Sequence, residues 1–179
     1  MTIKGIISHT HLSDIIRIAL LATYGGLWLD STVLCTGNLD KYITDNSELF
    51  VFSNAYRGDK SIIASSWLIY AKANNPIIVN TRNLIYKYWE KENKLKEYFL
   101  FHLMFTIVCR KLDNEWQKIP VFTNINPHLI LFTALHKQYN KEKLDVIKQQ
   151  ANFHKLSYKC DFSKFENASL YEHILKGDH

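Results

Sequence analysis

The chain is predicted to be an α/β protein, a mixed sheet flanked by helices. Three observations lead there. Residues 12–32, LSDIIRIALLATYGGLWLDST, pass from an apolar helical stretch through two glycines into an apolar strand. Short runs rich in β-branched and aromatic residues occur at 49–53 (LFVFS) and 61–73 (SIIASSWLIYAKA). After Pro76, two segments carry apolar residues at helical spacing.

Taken in order, Ser13 is the predicted N-cap, Asp14 suits the positive end of a helix and Gly25 its C-terminal end, giving a helix over 14–24. Leu27 to Val33 is more apolar than alternating, which predicts an interior strand whose far end exposes Asp30, Ser31 and Thr32. CTGN at 35–38 turns the chain, and NAYRGDK at 54–60 separates the next two strands. Ile77, Ile78, Leu84, Ile85, Tyr88 and Trp89 define one helix, and residues 97–113 a second, more deeply buried one. Beyond Pro120, residues 127–137 and 141–150 read as helical, 154–159 as a short strand and 168–177 as a last helical turn or two.

At 179 residues, 47% hydrophobic and 13% aromatic, the chain suffices for one domain over 1–179 with a sizeable core. Six glycines and three prolines leave no room for a flexible linker, and no repeat is visible. The formal charge of +5 favours anionic partners, including a membrane surface reached peripherally through basic side chains. The lysines are scattered, however, and no basic stripe interleaves with aromatics, which argues against nucleic acid. Cys35, Cys109 and Cys160 are odd in number and widely spaced, so a disulfide framework is not expected and a reducing cytoplasm is. MTIKGIISH is too short and too polar for a signal peptide, and the strongest apolar runs are interrupted by Arg17, His102 and Arg110 before reaching spanning length.

Asp14 and Arg17 lie three apart on a helix and share a face, while Ile15, Ile16, Ile18, Leu20 and Leu21 cover the rest. One reading is a mutual salt bridge that also serves the helix dipole. Its weakness is energetic, because apolar replacement of a buried ion pair is often neutral or stabilising by roughly 1 to 4 kcal/mol. A ligand needing both groups would justify them: a carboxylate accepts from sugar hydroxyls, and a guanidinium donates to hydroxyl or phosphate oxygens. Gly25 and Gly26 make a helix C-cap and also let a ligand approach the backbone, while Asp30 at a strand end suits a ribose hydroxyl or a divalent metal.

The spacing of Ser13, Asp14, Arg17, Leu21, Tyr24, Gly25, Gly26, Trp28 and Asp30 resembles the sugar-binding region of the DXD-type glycosyltransferases. Among these it is most similar to the bacterial capsular polysaccharide synthesis family. Residues 65–78, 98–105 and 154–159 agree with that family in order and type. The resemblance implies a GT-A-like fold and transfer of a sugar from a nucleotide-sugar donor to a saccharide or lipid-linked saccharide acceptor, with a divalent cation such as Mn2+ or Mg2+. By that resemblance Asp14, Arg17, Tyr24, Gly25 and Gly26 would contact the donor sugar, and Asp30, Thr32 and His102 the nucleotide or metal.

Two departures stand out. Thr32 occupies the position of the second Asp, and a neutral hydroxyl is a poorer metal ligand. The chain also shows no strand, loop and helix unit ahead of Ser13, so the expectation is a fold shortened at its N-terminal nucleotide-binding half. No catalytic base is marked. The alternative function is a non-catalytic remnant that binds sugar or a partner. Among the remaining candidates, His102 is expected in an aromatic core rather than on a metal or diphosphate. Trp67, Trp89 and Trp116 are expected in the core rather than on sugars, and His9 and His11 lack a third metal ligand.

Overall fold

The computed structural model describes residues 7–54 and 60–177. Its elements are α1 (His9–Tyr24), β1 (Gly26–Leu29), β2 (Val33–Cys35), β3 (Leu49–Ser53), β4 (Ala64–Ala71), α2 (Pro76–Lys91), α3 (Leu100–Lys111), α4 (Asp113–Trp116), β5 (Phe122–Thr123), α5 (Lys141–Gln150), β6 (Phe153–Lys155) and α6 (Leu170–Leu175). A small sheet flanked by α-helices forms, as the α/β prediction requires. The chain divides into two compact units, one of residues Met1–Leu29 and Tyr42–Phe122, the other of Asp30–Lys41 and Thr123–His179.

In the first unit the strands are ordered β1-β4-β3-β5, and β4 runs antiparallel to both β1 and β3. Side chains alternate across a strand, so Leu49 and Val51 of β3 point one way and Phe50 and Phe52 the other. The first face joins Ile18 and Leu21 of α1, Ile78, Ile85 and Trp89 of α2, and Phe101, Phe105 and Val108 of α3 in one buried cluster. On the second face Phe52 stacks on Trp67 at 4.9 Å, and Tyr42 meets Phe50, Phe52 and Phe122 edge-on or tilted. Both faces are therefore covered, which explains why LFVF is apolar at every position instead of alternating. A register shift between Val51 and Ser53 turns Trp67 to the aromatic side.

Helix α1 starts five residues earlier than predicted. Its N-cap is Ser8, not Ser13. The imidazole of His11 accounts for this: its Nε2 donates to the Tyr98 carbonyl at 3.2 Å, and its Nδ1 accepts from the Ser8 hydroxyl at 2.7 Å. Ser13 instead lies inside the helix, and its hydroxyl donates to the Thr10 carbonyl at 2.6 Å. Gly25 ends the helix as expected, with φ of 68° and its N–H on the Leu21 carbonyl. Helix α2 begins at Pro76, whose missing N–H costs nothing in the first turn. Asn75 caps it through Oδ1 to the amides of Ile77 and Ile78, while its Nδ2 donates to the Glu48 carbonyl.

The predicted strand over 27–33 is two strands. β1 stops at Leu29 and lies at one end of its sheet rather than in the interior, while β2 pairs with β6 in a separate two-stranded sheet. Asp30, Ser31 and Thr32 are turn formers, and the Val33 amide closes their turn on the Asp30 carbonyl at 3.1 Å. β4 likewise spans 64–71 rather than 61–73. The turn predicted at 54–60 falls mostly on residues 55–59, outside the described residues.

The second unit gathers Leu34, Ile130, Leu135, Leu144, Ile147 and Leu170 into its own core. Asn140 caps α5 and Ser169 caps α6. The helix expected over 127–137 is a 3-10 turn at Asn126–His128 followed by a π-helical turn at Ile130–Ala134, where the Leu135 amide reaches back to Ile130. Among the described residues, no helix is long and apolar enough to cross a membrane.

Candidate functional site

Asp14 and Arg17 occupy adjacent turns of α1, and their side chains meet at 2.9 Å between Oδ1 and Nη1. Arg17 is only 3% exposed. Its guanidinium lies between two aromatic rings, 5.1 Å from the Trp28 centroid and 5.2 Å from that of Phe101. A desolvated guanidinium over an aromatic face gains about 2 kcal/mol or more per ring, which offsets part of the cost of burial. Trp28 of β1 and Phe101 of α3 thus both pack against the group, and the Asp14 carboxylate pairs with one of its nitrogens. Trp28 and Phe101 carry this arrangement, and neither was assigned a role from sequence.

Tyr24 ends α1 with its side chain 77% exposed. Gly25 has a purely structural reason to be glycine: an added Cβ would lie 2.5 Å from the Ala73 amide nitrogen and 2.8 Å from the Ala71 carbonyl oxygen. Gly26 differs. Its φ of 94° favours glycine, yet no heavy atom lies within 4 Å of where its Cβ would stand, so the backbone there is open to approach.

Asp30 and Thr32 belong to the second unit, where a lysine joins them. Lys155 on β6 is paired in register with Val33, and its Nζ lies 3.1 Å from Asp30 Oδ2 while also donating to Thr32 Oγ1. The Lys155 and Asp30 side chains keep 21% and 27% of their exposure, so a ligand can reach them. A divalent cation wants several anionic or neutral oxygens and no competing positive charge. Here an ammonium already holds the carboxylate and the hydroxyl. Among the described residues, moreover, no group of three or more His, Cys, Asp or Glu side chains is assembled that could hold a metal ion. As arranged, these residues do not fit a divalent cation.

His128 stands in the same unit. Its Nδ1 is 2.6 Å from the Asn124 carbonyl and must donate there, which makes Nε2 the basic nitrogen of the neutral ring. Burial pushes its pKa below the usual histidine value, with the nearby Lys155 charge adding to that and the Asn124 carbonyl opposing it. The ring is neutral at pH 7 and stacks on Phe132. Sequence reasoning missed both Lys155 and His128. Residues 154–159 read as a short strand, but the meeting of Lys155 with Asp30, 125 residues away, depends on the pairing of β2 with β6.

His102 is half-buried and packs edge-on against Phe99 and Phe101, in the aromatic setting expected for it. Trp67 and Trp89 are core residues, and Trp116 packs against Phe105. His11 is committed to the α1 cap described above. Burial pushes the Cys109 thiol well up, out of reach of thiolate chemistry at neutral pH. A cleft in the first unit, lined by Thr44, Ser47, Glu48, Asn75, Glu115 and Lys118 among others, contains none of the predicted site residues.

Residues 2–174 match the model of the capsular polysaccharide synthesis protein family, and the chain belongs to that family. No curated protein matches it.

Proposed function

We propose, from membership of the capsular polysaccharide synthesis protein family, that this chain is a glycosyltransferase that moves a sugar from a nucleotide-sugar donor to a surface polysaccharide or its lipid-linked precursor. Membership of the family is consistent with a role in polysaccharide biosynthesis. The reaction is our reading, and one observation carries it: Arg17, 3% exposed, packs against both Trp28 and Phe101 and pairs with Asp14. Burying such a pair costs more than burying hydrocarbon, and a fixed carboxylate beside a fixed guanidinium is what polyhydroxylated, partly anionic ligands require. In this reading Asp14 and Arg17 hold donor-sugar hydroxyls, and Tyr24 and the open backbone of Gly26 border the sugar.

The purified chain should hydrolyse one member of a panel of UDP-, GDP- and CDP-sugars slowly in the absence of acceptor. Loss of one charge-assisted hydrogen bond corresponds to about 1.5–3 kcal/mol, so Asp14→Asn should lower kcat/KM about 10- to 100-fold with the fold intact by circular dichroism. Donor binding without turnover would favour the non-catalytic remnant. No binding of any member of the panel would overturn the reading.

A further inference from the structure

The turn at residues 30–32 already holds a cation, and it belongs to the protein. We infer that the Lys155 ammonium supplies, in place of a divalent metal, the positive charge that receives the diphosphate of an activated sugar. This deepens the transferase reading and rests on it.

Backbone structure fixes the position of that charge. β2 and β6 pair antiparallel with Val33 opposite Lys155, and the Leu156 amide donates to the Thr32 carbonyl at 2.8 Å. Lys155 therefore leaves the sheet directly beside the Asp30–Thr32 turn. An ammonium has three N–H donors in tetrahedral array. Asp30 Oδ2 and Thr32 Oγ1 orient two of them, which aims the third, and the side chain keeps enough exposure for an anionic oxygen to reach it. Asp30 then serves as orienter of the lysine and as acceptor for a hydroxyl, roles that need one carboxylate. Thr32, a poor metal ligand, is a good partner for an ammonium.

In the transfer step the bond between the anomeric carbon and the diphosphate oxygen breaks, and its electron pair leaves on that oxygen. The Lys155 side chain offsets the new negative charge. The acceptor saccharide hydroxyl forms the new bond to carbon and gives its proton to water.

Titration calorimetry with inorganic pyrophosphate in EDTA, and with UDP in EDTA or Mn2+, tests this. The wild-type chain should bind pyrophosphate in EDTA, Lys155→Gln should weaken that about 10- to 100-fold, and Lys155→Arg should stay within a few-fold. Mn2+ should not tighten UDP binding. Pyrophosphate binding that is absent in EDTA, or unchanged in Lys155→Gln, or UDP binding that appears only with Mn2+, would overturn the inference. Pyrophosphate held through Lys155 while no nucleotide sugar is bound or cleaved would leave a diphosphate site at Lys155 and overturn the transferase reading, and with it the role of Lys155 toward an activated sugar. If Lys155→Gln fails to fold, the Lys155→Arg variant and the wild-type comparison of EDTA with Mn2+ decide.

Discussion

A guanidinium that is 3% exposed tests whether Asp14 and Arg17 serve the fold or a ligand. Removing one partner of a buried pair leaves the other charge uncompensated and costs about 3–5 kcal/mol, whereas replacing both with apolar groups of similar volume is often neutral. Asp14→Leu and Arg17→Met are therefore each expected to lower unfolding stability by about 3 kcal/mol, and the double variant to recover most of it. Urea unfolding followed by tryptophan emission measures this directly, since Trp28 lies against the guanidinium. A stable double variant that no longer binds donor assigns the pair to the ligand. A double variant as weak as the single ones assigns it to the fold. The pairing itself was legible because residues three apart on a helix must be neighbours. Lys155 was not legible, since nothing in the local pattern around HKLSYK says that it meets a turn 125 residues away. Gly25 shows a different limit: a glycine pair suggests ligand access, yet the backbone of Ala71 to Ala73 alone accounts for the first of the two.

Among the elements, α1 carries the clearest discrepancy and the simplest test. Its N-cap is Ser8 rather than Ser13, and local patterning does not show this because the deciding contact, His11 to the Tyr98 carbonyl, is long-range. A cap contributes about 1 kcal/mol, so Ser8→Ala should lower stability by about that amount. Ser13→Ala removes only a bond back to the preceding helical turn and should change stability by less than about 0.5 kcal/mol. Equal effects of the two changes in the same urea titrations would restore Ser13 as the cap. The β1–β2 boundary failed for a related reason. An apolar run of suitable length with one polar break reads equally well as one strand or as two strands and a turn, and only the pairing of Val33 with Lys155 in a second sheet separates them. Helices α2 and α3 were legible from apolar residues at helical spacing after Pro76, while the weaker pattern beyond Pro120 still read as helical over α5 and α6.

At the scale of the whole molecule, the chain forms two compact units without a compositional break between them, because the excursion at 30–41 and the C-terminal portion meet through strand pairing rather than through a linker. The second unit has its own pH-sensitive element. His154 is fully buried on β6, opposite Leu34, with Nε2 3.0 Å from Thr36 Oγ1. Burial pushes its pKa down to about 4, against the usual 6.5, with the positive charge of Lys148 in the same direction and the Ala151 backbone opposing. As pH falls through 6.5 the unfolded chain takes up a proton that the folded unit refuses until about pH 4, so protonation favours unfolding across that window. Stability is complete above about pH 6.5 and declines below it by up to the order of 3 kcal/mol. His128, whose pKa is also lowered, acts with the same sign, so the informative quantity is the difference between wild type and His154→Gln. All four tryptophans lie in the first unit and do not report on this. Hydrogen exchange at the amides of residues 153–155, corrected for intrinsic rates, does. Between pH 7 and 4.5 their protection should fall more than tenfold further in wild type than in His154→Gln. Parallel loss in the two proteins would mean that His154 is not the group whose protonation opens the unit.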